Sequence, residues 1–185
     1  MSDLNFAEVQ LNTSSPEETL ELGARLGALL FPGAVVALTG DLGSGKTLLT
    51  KGIARGLGVR QYRYVSSPTF VIKQEYVGRL RIHHYDTYRL GSPDELEALG
   101  FREDVFSEGV VIVEWADRVS NLIPGTALHV TLEHGAVECH ETLTSDAEVP
   151  DNSQRTLVLR GVEPGWSGAI EKLKFPYSPS RNTVE

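Results

Sequence analysis

The stretch ALTGDLGSGKTLL, Ala37 to Leu49, sets four residues between Gly40 and Gly45-Lys46-Thr47. A loop that holds a polyphosphate must offer hydrogen-bond donors without side-chain bulk. Glycines at 40, 43 and 45 allow backbone N–H groups to turn inward, and a helix opening directly after them aims its positive end at the anion. Lys46 adds a point charge between β- and γ-phosphates, and Thr47 supplies a hydroxyl for Mg²⁺. The pattern means this only between a buried strand and a helix. Both flanks fit. AVVALTG before it is a continuous apolar run of strand length, suited to a strand covered on both faces. After it, Leu49, Ile53 and Leu57 recur every fourth residue and stop at Gly58.

Outward from this unit, strands and helices alternate. FAEVQL (6–11) alternates apolar and polar residues as a half-buried strand does. Ser15-Pro16-Glu17-Glu18 combines a capping box with proline at the first helical position, and Leu22, Leu26, Leu29 and Leu30 follow at helical spacing to Pro32-Gly33. RQYRYVSSPTF (60–70) reads as a loop. FVIKQEYV and LRIHHYDT, separated by Gly78-Arg79, predict a β-hairpin. SPDELEAL opens a short helix, GVVIVEW is a second buried strand, ALHVTLEH and RTLVLRG are later strands, and GWSGAIEKL is a final helix. These elements predict one α/β domain over 1–174, with a mixed but largely parallel central sheet flanked by helices. A polar, acidic insertion is expected around 136–153 and a flexible tail over 175–185.

The bulk properties narrow the function. A formal net charge of −8 argues against a general basic surface for nucleic acid or anionic lipid. The single cysteine, Cys139, cannot form an internal disulfide, and no signal pattern or membrane-length apolar run is present, so a cytoplasmic protein is expected.

Further features bear on chemistry. Mg²⁺ needs a second anchor, normally an acid ending another buried strand, and Glu114 follows Val110-Val111-Ile112-Val113. In HHYDTYRL, strand alternation sets His84 and Asp86 on one face and His83, Tyr85 and Thr87 on the other. An acid there could act as base, position water or hold the Mg²⁺ shell. Residue type alone slightly favours an Asp bonded to its own backbone. The adjacent histidines point oppositely and make a poor metal site, as do Cys139, His140 and His134. Arg60, Tyr62, Arg63 and Tyr64 interleave basic and aromatic residues, a pattern that an ordinary exposed loop explains better than single-strand binding. Ser66, Ser67 and Thr69 could sense a γ-phosphate, as switch loops do.

A GTPase is disfavoured, since neither an Asp-x-x-Gly switch after the second acidic strand nor an Asn-Lys-x-Asp base reader is present. A small-molecule kinase survives, with Asp86 as base and Arg89 or Arg102 as lid charges, as does an ATPase that drives a partner. Spacing does not separate the two. The blocks GDLGSGKT, SSPTF, YDTYRL, ELEALGF and VVIVEWADR, however, resemble in order and spacing the TsaE (YjeE) family, small bacterial P-loop ATPases required for the threonylcarbamoyladenosine modification of tRNA. The likeness covers roughly residues 8–132, and more loosely 155–173.

That resemblance implies ATP and Mg²⁺ as ligands. Gly43, Ser44, Gly45, Lys46, Thr47 and Leu48 would hold the phosphates, and Thr47 and Glu114 would share the metal. Asp86 would be needed for hydrolysis, with Glu114 beside it in the catalytic pair, and Trp115 would pack near the site. The segment from Thr13 to Glu17 would lie next to the adenine. The family's Gly-Arg near its last strands has no intact counterpart; Arg155 is the residue that best matches its arginine, which makes 136–153 the insertion. The implied partners are TsaD and TsaB, which transfer a threonylcarbamoyl group to adenosine 37 of tRNA. Contact with tRNA would be indirect, and no membrane or DNA partner is implied.

Overall fold

The computed structural model describes residues 5–134, 154–162 and 165–174. The expected insertion, the expected tail, Cys139 and His140 lie outside the described residues. Within them a seven-stranded sheet is built from β1 (Phe6–Thr13), β2 (Val35–Thr39), β3 (Lys73–Val77), β4 (Arg81–Asp86), β5 (Val110–Glu114), β6 (Leu128–His134) and β7 (Arg155–Val162), in the order β1-β7-β6-β2-β5-β4-β3. The central strands β4, β5, β2 and β6 pair in parallel, and β3 and β7 run against them. Since β1 is antiparallel to β7, five of these strands point the same way. The sheet is mostly parallel, as expected.

The two strands with continuous branched runs occupy the middle. Every residue of β5 is buried, and so are the first four of β2, because helices cover both faces. One face carries Val36, Leu38, Ile112 and Val130 and is covered by α1 (Pro16–Leu29), α2 (Lys46–Gly56) and α5 (Ser167–Lys174) through Leu26, Ile53 and Ile170. The other carries Ala37, Tyr85, Val111 and Val113, and packs against Leu96 of α3 (Pro93–Ala98) and Phe101 of α4 (Phe101–Val105).

The α1 start forms as its sequence dictates. Ser15 caps it, accepting from Glu18 N at 3.2 Å, and Glu18 reaches back to the amide of Ser14 at 2.7 Å. Its far end is closed from outside: the Arg79 guanidinium donates to the carbonyls of Gly27 (3.2 Å) and Leu30 (3.0 Å), a cation on the negative end of a helix. Between α1 and α2 the backbones touch. A methyl group on Gly27 would stand 2.2 Å from the Ile53 carbonyl oxygen, and one on Gly52 would stand 2.3 Å from that of Leu20. This seam sets where α2, and the loop that opens it, sits above the sheet.

The hairpin departs from expectation at its start. Strand β3 begins at Lys73 instead of Phe70. Ile72 takes a left-handed φ of 63°, which ends extended backbone, and the amides of Val71 and Ile72 both turn back to the Pro68 carbonyl. Phe70 and Val71 are thereby exposed, at 83% and 63%. The connection is three residues, 78–80, since Val77 pairs with Arg81. The short helix α4, opened by Gly100, was not anticipated from the sequence.

Candidate functional site

The site lies where β2, β4 and β5 end together. Gly40 leaves β2 at a φ of 133°, and a side chain there would meet the Leu132 carbonyl oxygen at 2.2 Å. Gly45 opens α2 at a φ of 106°, with the Arg155 side chain against it. Both positions therefore require glycine. The intervening turn is held by Ser44, fully buried, whose amide donates to Asp41 O.

Beneath this loop, parallel pairing brings the acids together. Asp86 is the register partner of Glu114, so both carboxylates emerge on one face at neighbouring strand ends. Thr47 Oγ1 donates to Glu114 Oε2 at 2.8 Å. Asp86 Oδ2 accepts from the Ser67 hydroxyl and from Thr69 Oγ1 (2.7 Å), while Oδ1 accepts from Tyr88 N at 2.9 Å. Lys46 Nζ donates to the carbonyls of Gly40 (2.6 Å) and Asp41 (2.8 Å) and lies 3.7 Å from the centre of the Trp115 ring. Burial holds the Lys46 ammonium below the usual lysine range, and Glu114, Asp117, Asp86 and Asp41 only partly oppose this. An anion beside Nζ would stabilise that charge.

A cavity of about 310 Å³ collects Gly43, Gly45, Lys46, Thr47, Leu48, Asp86, Glu114 and Trp115, together with Ser67 and Thr69. Thr13 and Arg155 line a second, polar cavity of about 440 Å³ with Gln10 and Asn12. A methyl group on Gly45 would stand 2.9 Å from Arg155 Nε, so Arg155 lies where the two cavities adjoin. The residues expected to hold phosphates and metal thus gather at this loop, with Asp86 and Trp115, and Thr13 and Arg155 line the cavity beside it. Two lid candidates fare differently. Arg89 stacks over Phe70 at 4.3 Å, near the Ser-Pro-Thr segment. Arg102 lines a separate cavity with Gly33 and Val35, at the opposite end of β2 from the loop. Arg55 of α2 and Arg63 each stand 5.9 Å from the ring centre of Tyr62, and Tyr64 is exposed.

The arrangement suits a magnesium nucleotide. Thr47 and Glu114 form an all-oxygen pair already in contact, the hard donor set Mg²⁺ prefers. The glycine loop leaves its concave side free of Cβ atoms at Gly43 and Gly45. Sequence reasoning missed two contributors. Tyr88 stacks on Trp115 with ring centres 4.8 Å apart, and His84 Nε2 stands 2.9 Å from Glu114 Oε1. Strand alternation had put His84 on the face of Asp86, but only the strand order puts it behind Glu114.

The family model described as threonylcarbamoyl adenosine biosynthesis protein TsaE matches residues 13–142. Similar relatives are tRNA threonylcarbamoyladenosine biosynthesis proteins TsaE. That of Treponema pallidum is 39% identical over 118 residues, 64% of this chain and 86% of the relative. That of Bacillus subtilis is 42% identical over 127 residues, covering 68% and 78%. Among solved structures, Bacillus subtilis YdiB superposes with a TM-score of 0.69 at 28% identity, covering 91% of this chain and 95% of that one. The fold is that of the P-loop proteins. No helix among the described residues is long and apolar enough to cross a membrane.

Proposed function

Because the chain belongs to the TsaE family of threonylcarbamoyladenosine biosynthesis, we propose that it is an Mg²⁺-dependent ATPase that acts as a nucleotide switch on the TsaD and TsaB proteins. The observation that carries this reading is the contact of Thr47 with Glu114, the register partner of Asp86, under the glycine loop. Bound Mg²⁺ would neutralise charge across the β- and γ-phosphates. The protein's own groups do the rest. The loop amides and Lys46 hold the phosphates, Thr47 and Glu114 hold the metal, and Thr13 and Arg155 flank the nucleoside side. Asp86 orients a water molecule for in-line attack and receives its proton, while the bond from the γ-phosphorus to the β–γ bridging oxygen breaks and ADP leaves with that oxygen.

The switch reading is supported by where the Ser-Pro-Thr segment is tied. The hydroxyls of Ser67 and Thr69 bond to Asp86. A γ-phosphate beside Lys46 offers these hydroxyls a competing acceptor, and their transfer would free Asp86 and reshape the turn carrying Phe70 and Val71. Nucleotide can bias assembly only as far as partner affinity differs between the two arrangements. The protein would reset the modifying complex between rounds without transferring the threonylcarbamoyl group itself.

Incubation with γ-labelled ATP and Mg²⁺ tests the reaction class. Free labelled phosphate is expected, increased by TsaD and TsaB. Label on a small-molecule acceptor would instead establish a kinase.

A further inference from the structure

His84 of β4 is fully buried, and its Nε2 stands 2.9 Å from Glu114 Oε1. Glu114 accepts, so Nε2 must carry the hydrogen. The other ring nitrogen, Nδ1, is buried and has no hydrogen-bond partner among the described residues. An imidazole with one unsatisfied nitrogen is a poor way to fill an apolar position, where Leu or Ile would pack without desolvation cost. Ile82 and Ile112 do that at neighbouring positions on the same face. The hydrogen bond to Glu114 is the contact that distinguishes His84 from such a filler.

Its effect is directional. His84 pairs in register with Ile112, two residues before Glu114, and so approaches the carboxylate from below. With Oε1 taken by His84, the carboxylate plane is fixed and Oε2 faces Thr47. Thr50 Oγ1 cannot replace it: it lies 3.5 Å from Oε1 and donates to the Lys46 carbonyl at 3.0 Å.

We propose that His84 is a positioning residue, which holds Glu114 so that Oε2 is presented to Thr47 and to the metal of a bound nucleotide. The proposal rests on the magnesium-nucleotide reading above. An acid left free to rotate would lose alignment with Thr47, and the metal-linked part of nucleotide affinity would fall while the loop's hold on the phosphates remained.

The test is a titration of the full chain with a fluorescent ATP analogue, in excess EDTA and in Mg²⁺, for wild type and for His84→Gln, His84→Asn and His84→Phe. Melting curves accompany each. In wild type, Mg²⁺ should raise affinity. His84→Gln, whose amide nitrogen falls near Nε2, should keep most of that gain. His84→Asn, one carbon too short, and His84→Phe should lose about tenfold or more of it, with affinity in EDTA unchanged. If His84→Phe does not fold, the Gln–Asn pair decides. A full magnesium gain in His84→Asn or His84→Phe would overturn the positioning role, as would equal loss in His84→Gln and His84→Asn. Absence of any magnesium gain in wild type would overturn the underlying reading instead.

Discussion

Lys46 is held by two backbone carbonyls and the Trp115 ring, in a setting whose burial disfavours its charge. A group kept in such a setting serves an anion better than it serves the fold. Lys46→Ala should therefore abolish nucleotide binding while leaving the melting temperature near that of wild type, read by calorimetric titration and thermal melts. Asp86→Asn should retain Mg²⁺-nucleotide binding and lose about 10²-fold or more in phosphate release, the scale of a general base. Trp115 offers a direct readout, since phosphates that draw Lys46 away alter the ring's surroundings. The other tryptophan, Trp166, is buried and donates to Thr126 O at 2.8 Å. Nucleotide should thus change tryptophan emission in Trp166→Phe and leave it unchanged in Trp115→Phe. At this scale the sequence was informative because the chemistry restricts residue type: glycine for close approach, lysine for charge, an acid at a strand end. His84 was not legible as Glu114's partner, because that contact depends on which strand lies beside which.

The elements were legible where periodicity and caps agreed, as in α1 with Ser15 and its leucines. Strand β3 was misjudged because Phe70, Val71 and Ile72 are good strand formers locally, yet the Pro68 carbonyl captures the amides of Val71 and Ile72 in a turn. The α1–α2 seam was invisible for a different reason. Glycine ordinarily weakens a helix interior, and only the packed structure shows that a side chain on Gly23 or Gly27 would meet backbone atoms of Leu49, Gly52 or Ile53. Gly52→Ala should destabilise the protein by about 1–3 kcal/mol through overpacking, despite the ~1 kcal/mol that alanine gains in a helix interior. Gly168→Ala in α5, with nothing within 4 Å of the added methyl, should instead be neutral or stabilising by up to ~1 kcal/mol. Chemical denaturation of both variants checks the contrast. Because α2 carries the phosphate loop, Gly52→Ala should also weaken nucleotide binding.

At the scale of the whole molecule, parallel order is what assembles the site. Three strands that are distant in sequence, β2, β4 and β5, end side by side, and each delivers one component: the glycine loop, Asp86 and Glu114. Alternating strands and helices implied such a sheet, but the order of strands across it could not be read from periodicity. The same edge of the molecule exposes Phe70 and Val71 directly after the hydroxyls that bind Asp86, so a change at phosphates bound in the proposed site would have a short route to the surface. The proposed nucleotide cycle would serve tRNA modification. The most direct measurement is the threonylcarbamoyladenosine content of tRNA in cells depleted of the protein and supplied with wild type, Lys46→Ala or Asp86→Asn. The modification should disappear on depletion and return only with wild type. Unchanged modification on depletion, or full restoration by either variant, would contradict the account.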